Sequence, residues 1–122
     1  MGTRKSFPQM VDEALQTIPQ VAPAALQSRL EAGEQIAVID VREPDEFAKG
    51  KIPGAVTIPR GLLEMQVDGR LPLETTVVLY CGGGARSALA CRSLAEMGYD
   101  KVENLEGGWH SWVGSGLPVE QP

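Results

Sequence analysis

Two kinds of segment alternate along the chain. Segments with helical spacing of apolar residues lie at 7–17, 23–33, 44–49, 86–97 and from 107 onward. Between them lie short apolar runs at 36–41, 55–58, 77–80 and 101–105. Short runs of this kind predict buried strands, because a strand of a parallel sheet is covered on both faces. The alternation predicts an α/β protein with a mostly parallel sheet.

The helical segments show which faces are expected to be buried. The inward-facing residues predicted are Met10, Val11, Ala14 and Leu15 in the first helix, Ala25, Leu26 and Leu30 in the second, and Ala90, Cys91, Leu94 and Met97 in the helix at 86–97. The helical pattern breaks at 18–21, and this segment is compatible with a short strand at the edge of the sheet, because edge strands tolerate proline. The segment 59–65 is predicted to contain a helical turn.

The length and residue order predict one main domain with two flanking pieces. A chain of 122 residues suits one domain with a core of its own. We expect a helical extension over 1–18, the α/β domain over 19–118 and a frayed tail over 119–122. The tail is expected to fray because glycine, serine and proline are frequent from Gly114 onward.

Charge and cysteine content exclude several classes of function. The net charge of −5 argues against nucleic acid or an anionic membrane as a partner. No apolar run is long enough to span a membrane, and the first ten residues have no signal-peptide pattern, although residues 1–6 fit a loose acylation pattern. Two cysteines and the single His110 form neither a metal site nor a disulfide framework. We therefore expect no metal and a reducing, cytoplasmic location.

The candidate chemistry lies in the loop after the strand at 77–80. This loop consists of Cys81, Gly82, Gly83, Gly84, Ala85, Arg86 and Ser87, and a helix begins within it. Glycines allow backbone N–H groups to turn inward, and the helix adds the partial positive charge of its N-terminus. Both effects favour a thiolate, so Cys81 is a candidate nucleophile. The alternative is a tight turn with Cys81 as a small buried apolar residue.

Phosphate chemistry is a second interpretation of the loop. No Gly-Lys-Ser/Thr sequence ends it, and Ser87 stands where a dinucleotide fingerprint needs its third glycine. Cysteine phosphatases place five residues between cysteine and arginine, whereas four separate Cys81 from Arg86. The shorter loop favours a single bound sulfur atom over a tetrahedral phosphate. A thiol-based arsenate or phosphate enzyme remains an alternative.

Four stretches together resemble the rhodanese family of single-domain sulfurtransferases. They are Val38-Ile39-Asp40-Val41-Arg42-Glu43, Phe47 through Gly50-Lys51-Ile52-Pro53-Gly54-Ala55, Tyr80-Cys81 through Arg86-Ser87, and Leu105-Glu106-Gly107-Gly108-Trp109. The resemblance covers about residues 19–118 and implies a rhodanese-like fold, with a five-stranded parallel sheet and helices on both sides. One departure is Lys51, where the family commonly has histidine. That position is not catalytic in the family.

The resemblance implies that Cys81 carries a persulfide, with no separate cofactor. The thiolate would attack the sulfane sulfur of a donor such as thiosulfate, and the N–H groups from Gly82 to Ser87 would hold the outer sulfur. The acceptor would be cyanide or a thiol, and a thioredoxin-like or sulfur-carrier protein is a candidate partner. A non-catalytic binding or regulatory module is the alternative from another class of protein.

Other residues near the loop have expected roles of two kinds. Arg86 either binds the anionic donor or braces the loop, and donor binding is favoured because guanidinium matches an oxyanion. Asp40 and Arg42 are expected to support the site rather than touch substrate. His110 lies far along the chain, so a Cys–His pair is poorly supported. Cys91 is expected to be a buried, inert thiol.

Overall fold

The computed structural model describes residues 4–122 and contains five strands, six α-helices and one short 3₁₀ turn within that range. The strands are β1 (Gln20–Val21), β2 (Ala37–Asp40), β3 (Val56–Thr57), β4 (Val77–Tyr80) and β5 (Val102–Leu105). The helices are α1 (Phe7–Thr17), α2 (Pro23–Glu31), α3 (Pro44–Phe47), α4 (Leu63–Val67), α5 (Ala85–Met97) and α6 (Gly108–Gly114), and the 3₁₀ turn covers Arg60–Leu62.

All strands run parallel in one sheet with the order β1-β5-β4-β2-β3. This confirms the predicted α/β class and its parallel sheet. The middle strand is β4, and all four of its residues are buried. Because every strand runs the same way, all carboxyl ends meet at one edge of the sheet. Ligands of open α/β sheets bind at this edge, and the glycine-rich loop leaves β4 there.

Alternate residues of the central strands pack into two separate cores. On one face, Ile39 of β2 and Leu79 of β4 pack with Leu94 of α5 and Leu63 of α4. On the other face, residues of the same two strands, Val38 and Val78 among them, pack with Leu26 of α2 and Trp112 of α6. Helices therefore cover both faces, which is the arrangement that near-continuous apolar strands require.

Helix α1 has the predicted bounds, and its start is fixed by a capping box. Ser6 Oγ accepts a hydrogen bond from the Gln9 N–H at 3.2 Å, and the Gln9 side chain accepts one from the Ser6 N–H at 2.7 Å. Ala14 is fully buried, and the helix packs against α5. The helix of the N-terminal extension thus lies on the domain. The acylation pattern at the N-terminus begins in residues 1–3, outside the described residues.

Helix α2 is shorter than predicted and buries a narrower face. It ends at Glu31, and only Leu26 among its residues is fully buried. Ala25, which was expected to face inward, is exposed. An alanine offers little apolar area to bury, so the larger Leu26 determines which side of the helix faces the sheet.

The end of the chain differs from the frayed tail expected over 119–122. Lys51 and Glu120 exchange two backbone hydrogen bonds of 3.0 and 2.8 Å in an antiparallel bridge. The Glu120 carboxylate also accepts a bond from the Gly54 N–H at 3.0 Å. Just before this bridge, the Trp112 indole N–H donates to the Pro118 carbonyl at 2.8 Å. These bonds involve backbone groups, which a pattern of apolar side chains does not reveal.

None of the helices within residues 4–122 has both the length and the apolar character needed to span a bilayer. The longest, α5, has 13 residues, whereas a transmembrane helix needs about 20.

Candidate functional site

Cys81 follows β4 directly and lies at the base of the glycine-rich loop. Its Sγ accepts hydrogen bonds from the Gly84 N–H at 3.1 Å and from the Ser87 N–H at 3.4 Å. The Ser87 hydroxyl lies 3.4 Å from the same sulfur. The residue is 1% exposed. The thiol is therefore buried and lies among polar groups, two of which are backbone N–H donors that the sequence analysis predicted.

Gly84 gives the loop its shape. It caps the start of α5 with φ at +101°, in the left-handed region that favours glycine. This conformation turns its own N–H toward the sulfur. Within residues 4–122, the N–H groups of Gly83, Ala85 and Arg86 have no protein acceptor. Such unpaired donors at a helix start are suited to receive a negatively charged or polarisable group.

Ser87 joins the thiol to a buried polar network on β5. Its hydroxyl lies 2.6 Å from Asn104 Oδ1, and Asn104 Nδ2 donates to the Gln20 side chain and to the Gly84 carbonyl, each at 3.2 Å. A hydroxyl has one hydrogen, and the shorter distance favours donation to Asn104. The Ser87 oxygen is then free to accept a bond from the Cys81 thiol. The sequence analysis missed Asn104, because nothing in the sequence indicates that this polar residue of β5 contacts Ser87.

Helix α6 holds the other side of the loop. The Trp109 N–H donates to the Cys81 carbonyl at 2.8 Å, and the His110 N–H donates to the Gly82 carbonyl at 3.0 Å. Gly108 makes this approach possible, because a β-carbon there would lie 2.5 Å from the Cys81 carbonyl oxygen. The glycine pair before Trp109 therefore serves as a contact surface for the loop as well as a helix start.

Three polar side chains converge above Gly82. A β-carbon on this glycine would lie 3.2 Å from Arg86 Nη2, 3.4 Å from His110 Nε2 and 3.7 Å from Glu46 Oε2. His110, distant in sequence, is thus close to the loop in space. Within the described range, its side chain makes no hydrogen bond to Cys81, and a Cys–His pair remains without support.

Arg86 and Glu46 form a two-pronged ion pair at this rim. Nη1 and Nη2 of Arg86 donate to the two carboxylate oxygens of Glu46 at 2.8 and 2.9 Å. The hydrogen bond from Arg86 lowers the pKa of Glu46 to about 2. The same bond raises the pKa of Arg86, and the nearby Cys81 sulfur adds to this effect. Both groups therefore remain charged at neutral pH.

Asp40 and Arg42 form a buried pair beside the loop. Arg42 donates to both Asp40 oxygens and, at 2.7 Å, to the Gly50 carbonyl, and its guanidinium lies 4.5 Å from the ring centre of Trp109. The Tyr80 hydroxyl donates to Asp40 at 2.8 Å, and burial raises the pKa of this phenol. Neither residue of the pair bonds to the thiol. Their contacts join β2, β4 and α6 around the site.

Cys91 has very different surroundings. It is fully buried in the core between α5 and the sheet, and its Sγ lies 3.5 Å from the Glu103 carbonyl oxygen. Burial raises the pKa of this thiol well above its ordinary value. Both cysteines are free. In the described part of the chain, no group of three or more His, Cys, Asp or Glu side chains could hold a metal ion.

The fold and this loop define a class of α/β protein with a donor-lined thiol at the carboxyl edge of its central parallel strand. A family model of the rhodanese-like domain matches residues 22–115, and the chain belongs to this family. The family resemblance predicted from four sequence stretches is thereby confirmed.

Relatives of known sequence or structure support sulfur transfer in general terms. A sulfurtransferase of Allochromatium vinosum is 37% identical over 105 residues, which cover 86% of this chain and 97% of the relative. The polysulfide-sulfur transferase homodimer of Wolinella succinogenes has a TM-score of 0.79 and 32% identity, over 95% of this chain and 88% of its own. A protein of unknown function from Rhodopseudomonas palustris, called a possible tyrosine phosphatase, has a TM-score of 0.88 and 33% identity, over 98% of both chains.

Proposed function

We propose that this protein transfers sulfane sulfur through a persulfide on Cys81. The observation that carries the proposal is the pair of backbone N–H groups, from Gly84 and Ser87, directed at Sγ. Such donors stabilise negative charge on the sulfur and prepare it for nucleophilic attack. The sulfurtransferase names among its relatives favour the same chemistry.

In the first half-reaction, the Cys81 thiolate attacks the outer sulfur of a donor such as thiosulfate. A sulfur–sulfur bond forms to Sγ as the donor's own sulfur–sulfur bond breaks. The electron pair of the broken bond leaves with sulfite, which is a stable anion and needs little protonation. No general base is therefore required beside the thiol. The N–H groups of Gly83, Ala85 and Arg86, which have no protein acceptor within residues 4–122, would hold the outer sulfur.

In the second half-reaction, a nucleophilic acceptor attacks that outer sulfur and releases the Cys81 thiolate. Cyanide serves in an assay and yields thiocyanate, whereas a thiol becomes a persulfide. A thioredoxin-like or sulfur-carrier protein is the partner that we propose in the cell. A reducing compartment such as the cytoplasm suits this cycle, because both thiols of the chain are free.

We propose that Arg86 binds the anionic donor. Guanidinium has five N–H donors, and the two bonds to Glu46 leave the others for an oxyanion. Arg86→Ala is expected to raise the Michaelis constant for thiosulfate more than it lowers the yield of persulfide. An unchanged Michaelis constant would leave Arg86 only the role of bracing the loop.

Intact-mass analysis after incubation with thiosulfate tests the proposed function. We expect a gain of one sulfur atom that cyanide removes. Cys81→Ser is expected to show no gain, and Cys91→Ala, the matched change at the other thiol, is expected to keep it. A wild-type protein that gains no sulfur from any sulfane donor would favour a non-catalytic binding module.

Phosphate ester hydrolysis is a second candidate, because the R. palustris neighbour is called a possible tyrosine phosphatase. The length of the loop weighs against it, because only four residues separate Cys81 from Arg86 whereas cysteine phosphatases place five there. Incubation with p-nitrophenyl phosphate is expected to give no hydrolysis. Hydrolysis that is lost in Cys81→Ser would favour a phosphatase over a sulfurtransferase.

A further inference from the structure

We propose that Glu46 is a specificity-determining residue that weakens the binding of doubly charged sulfur donors by engaging Arg86. The inference rests on the proposed sulfur transfer and concerns which donors the site prefers. It starts from the position of Glu46 on α3, whose carboxylate reaches across to the loop at the sheet edge. Glu46 is not part of the loop, and its side chain makes no hydrogen bond to the Cys81 thiol.

The position of the Glu46 carboxylate is fixed from two sides. Oε1 accepts a bond from the Glu43 N–H at 3.0 Å, which belongs to the capping box of α3. The two oxygens also accept the bonds from Arg86. The side chains of the pair are 33% and 38% exposed, so dissolved anions can reach them. The pair is thus preformed at the place where a donor would enter.

The charge of the pair opposes a dianion. Arg86 alone would present one positive charge above the loop, but the pair presents none. The low pKa of Glu46, about 2, keeps its negative charge at any pH used for assay. His110 Nε2 lies above the same glycine as this carboxylate, and the buried Arg42 donates to the backbone carbonyl of Glu46. A donor with two negative charges must therefore compete with Glu46 for Arg86 and loses binding free energy. A donor with one negative charge loses less of it.

The experiment compares Glu46→Gln with the wild type on two donors of different charge. Thiosulfate carries two negative charges and methanethiosulfonate carries one. We expect Glu46→Gln to lower the Michaelis constant for thiosulfate by roughly two- to fivefold, the range for a partly exposed ion pair. The constant for methanethiosulfonate should fall by less. High salt should reduce both effects, since it screens exposed charges.

Glu103→Gln is the matched control. Glu103 forms an equally two-pronged pair with Arg29, at 2.9 and 2.9 Å, near the start of β5 and away from the loop. It should change neither constant. Glu46→Ala serves as a second variant should Glu46→Gln fold poorly, and thermal melting establishes that each variant folds. In an Arg86→Ala background, the effect of Glu46→Gln should shrink.

Failure of the inference is distinguishable from failure of the proposed function. If the wild type gains sulfur from both donors but Glu46→Gln leaves the thiosulfate constant unchanged or raises it, the specificity role is overturned and sulfur transfer stands. An equal change for both donors also overturns it. If the wild type gains no sulfur from either donor, the proposed function itself is wrong.

Discussion

The two cysteines of this chain are ten residues apart and differ in almost everything except burial. Cys81 is 1% exposed and Cys91 is 0% exposed. Two N–H groups and a hydroxyl surround the sulfur of Cys81. The sulfur of Cys91 lies 3.5 Å from the Glu103 carbonyl oxygen, a group that accepts hydrogen bonds and donates none. Burial alone therefore does not determine the chemistry of a thiol.

Backbone conformation explains the difference. Cys91 lies inside α5, where each N–H is already bonded to a carbonyl four residues earlier. Cys81 lies before the helix begins, where the first N–H groups have no such partner. The left-handed conformation of Gly84 then directs one of these groups at the sulfur. The start of the helix thus provides N–H donors for Cys81, whereas the N–H groups of the helix around Cys91 are used by helix carbonyls.

Alkylation should separate the two thiols by the largest margin. Iodoacetamide is expected to modify Cys81 through the loop, whereas Cys91 should react only when the fold opens. Opening costs about 5 kcal/mol or more, so the rates should differ by more than about a thousandfold. Intact mass and peptide mapping over time measure both rates.

Two variants make this comparison sharper. Cys91→Ala should be alkylated at the wild-type rate, and Cys81→Ser should resist alkylation until denaturant is added. Comparable modification of both cysteines in the native protein would contradict the distinction drawn between them.

Gly108→Ala should disturb the surroundings of Cys81 and leave those of Cys91 intact. At φ +58° a β-carbon would lie 2.5 Å from the Cys81 carbonyl oxygen and 2.8 Å from that of Gly82. Helix α6 must then move away from the loop. We expect the free energy of unfolding to fall by about 2–4 kcal/mol and the sulfur adduct to decrease. Denaturant titration and intact mass measure the two effects.

Gly33→Ala is the control for this substitution. Gly33 has φ at +82°, but a β-carbon there meets nothing within 4 Å. The control therefore reports the cost of the left-handed conformation alone, about 1–2 kcal/mol. If both variants lost the same free energy of unfolding, the close contact between α6 and the loop would contribute nothing to stability.

The smallest effect concerns the ion pair at the rim above Cys81. The bond from Arg86 lowers the pKa of Glu46 from 4.5 to about 2. The stability that comes from this shift is present above pH 4.5 and is lost as the pH falls toward 2. Carbon-13 NMR should show the Glu46 carboxyl titrating near 2, and near its ordinary value in Arg86→Ala. Titration near 4.5 in the wild type would contradict the pair.

Local elements were predicted well from the sequence. The bounds of α1 and β4 agree with the prediction, because apolar spacing and Pro8 mark the helix and an unbroken apolar run marks the strand. The parallel sheet followed from the order of the elements, and the position of Cys81 at its carboxyl edge followed from the sheet. The role of Cys81 as nucleophile stays a prediction.

Contacts between distant segments could not be predicted in the same way. His110 reaches the loop because α6 docks on the Cys81 and Gly82 carbonyls, and backbone bonds leave no trace in a residue pattern. Asn104 and Glu46 were missed for a related reason. Each is a common polar residue whose partner lies in another element.

The docking of α6 on the loop has a consequence for protein engineering. Residues 81–87 form one short stretch, yet carbonyl groups at two of its positions are held by backbone N–H groups of α6, almost thirty positions later. Transplanting the heptapeptide into a foreign scaffold would carry the sulfur and its glycines but not this anchoring. A transplanted loop must therefore be accompanied by a helix that begins with two glycines and lies close enough to donate hydrogen bonds to the loop carbonyls.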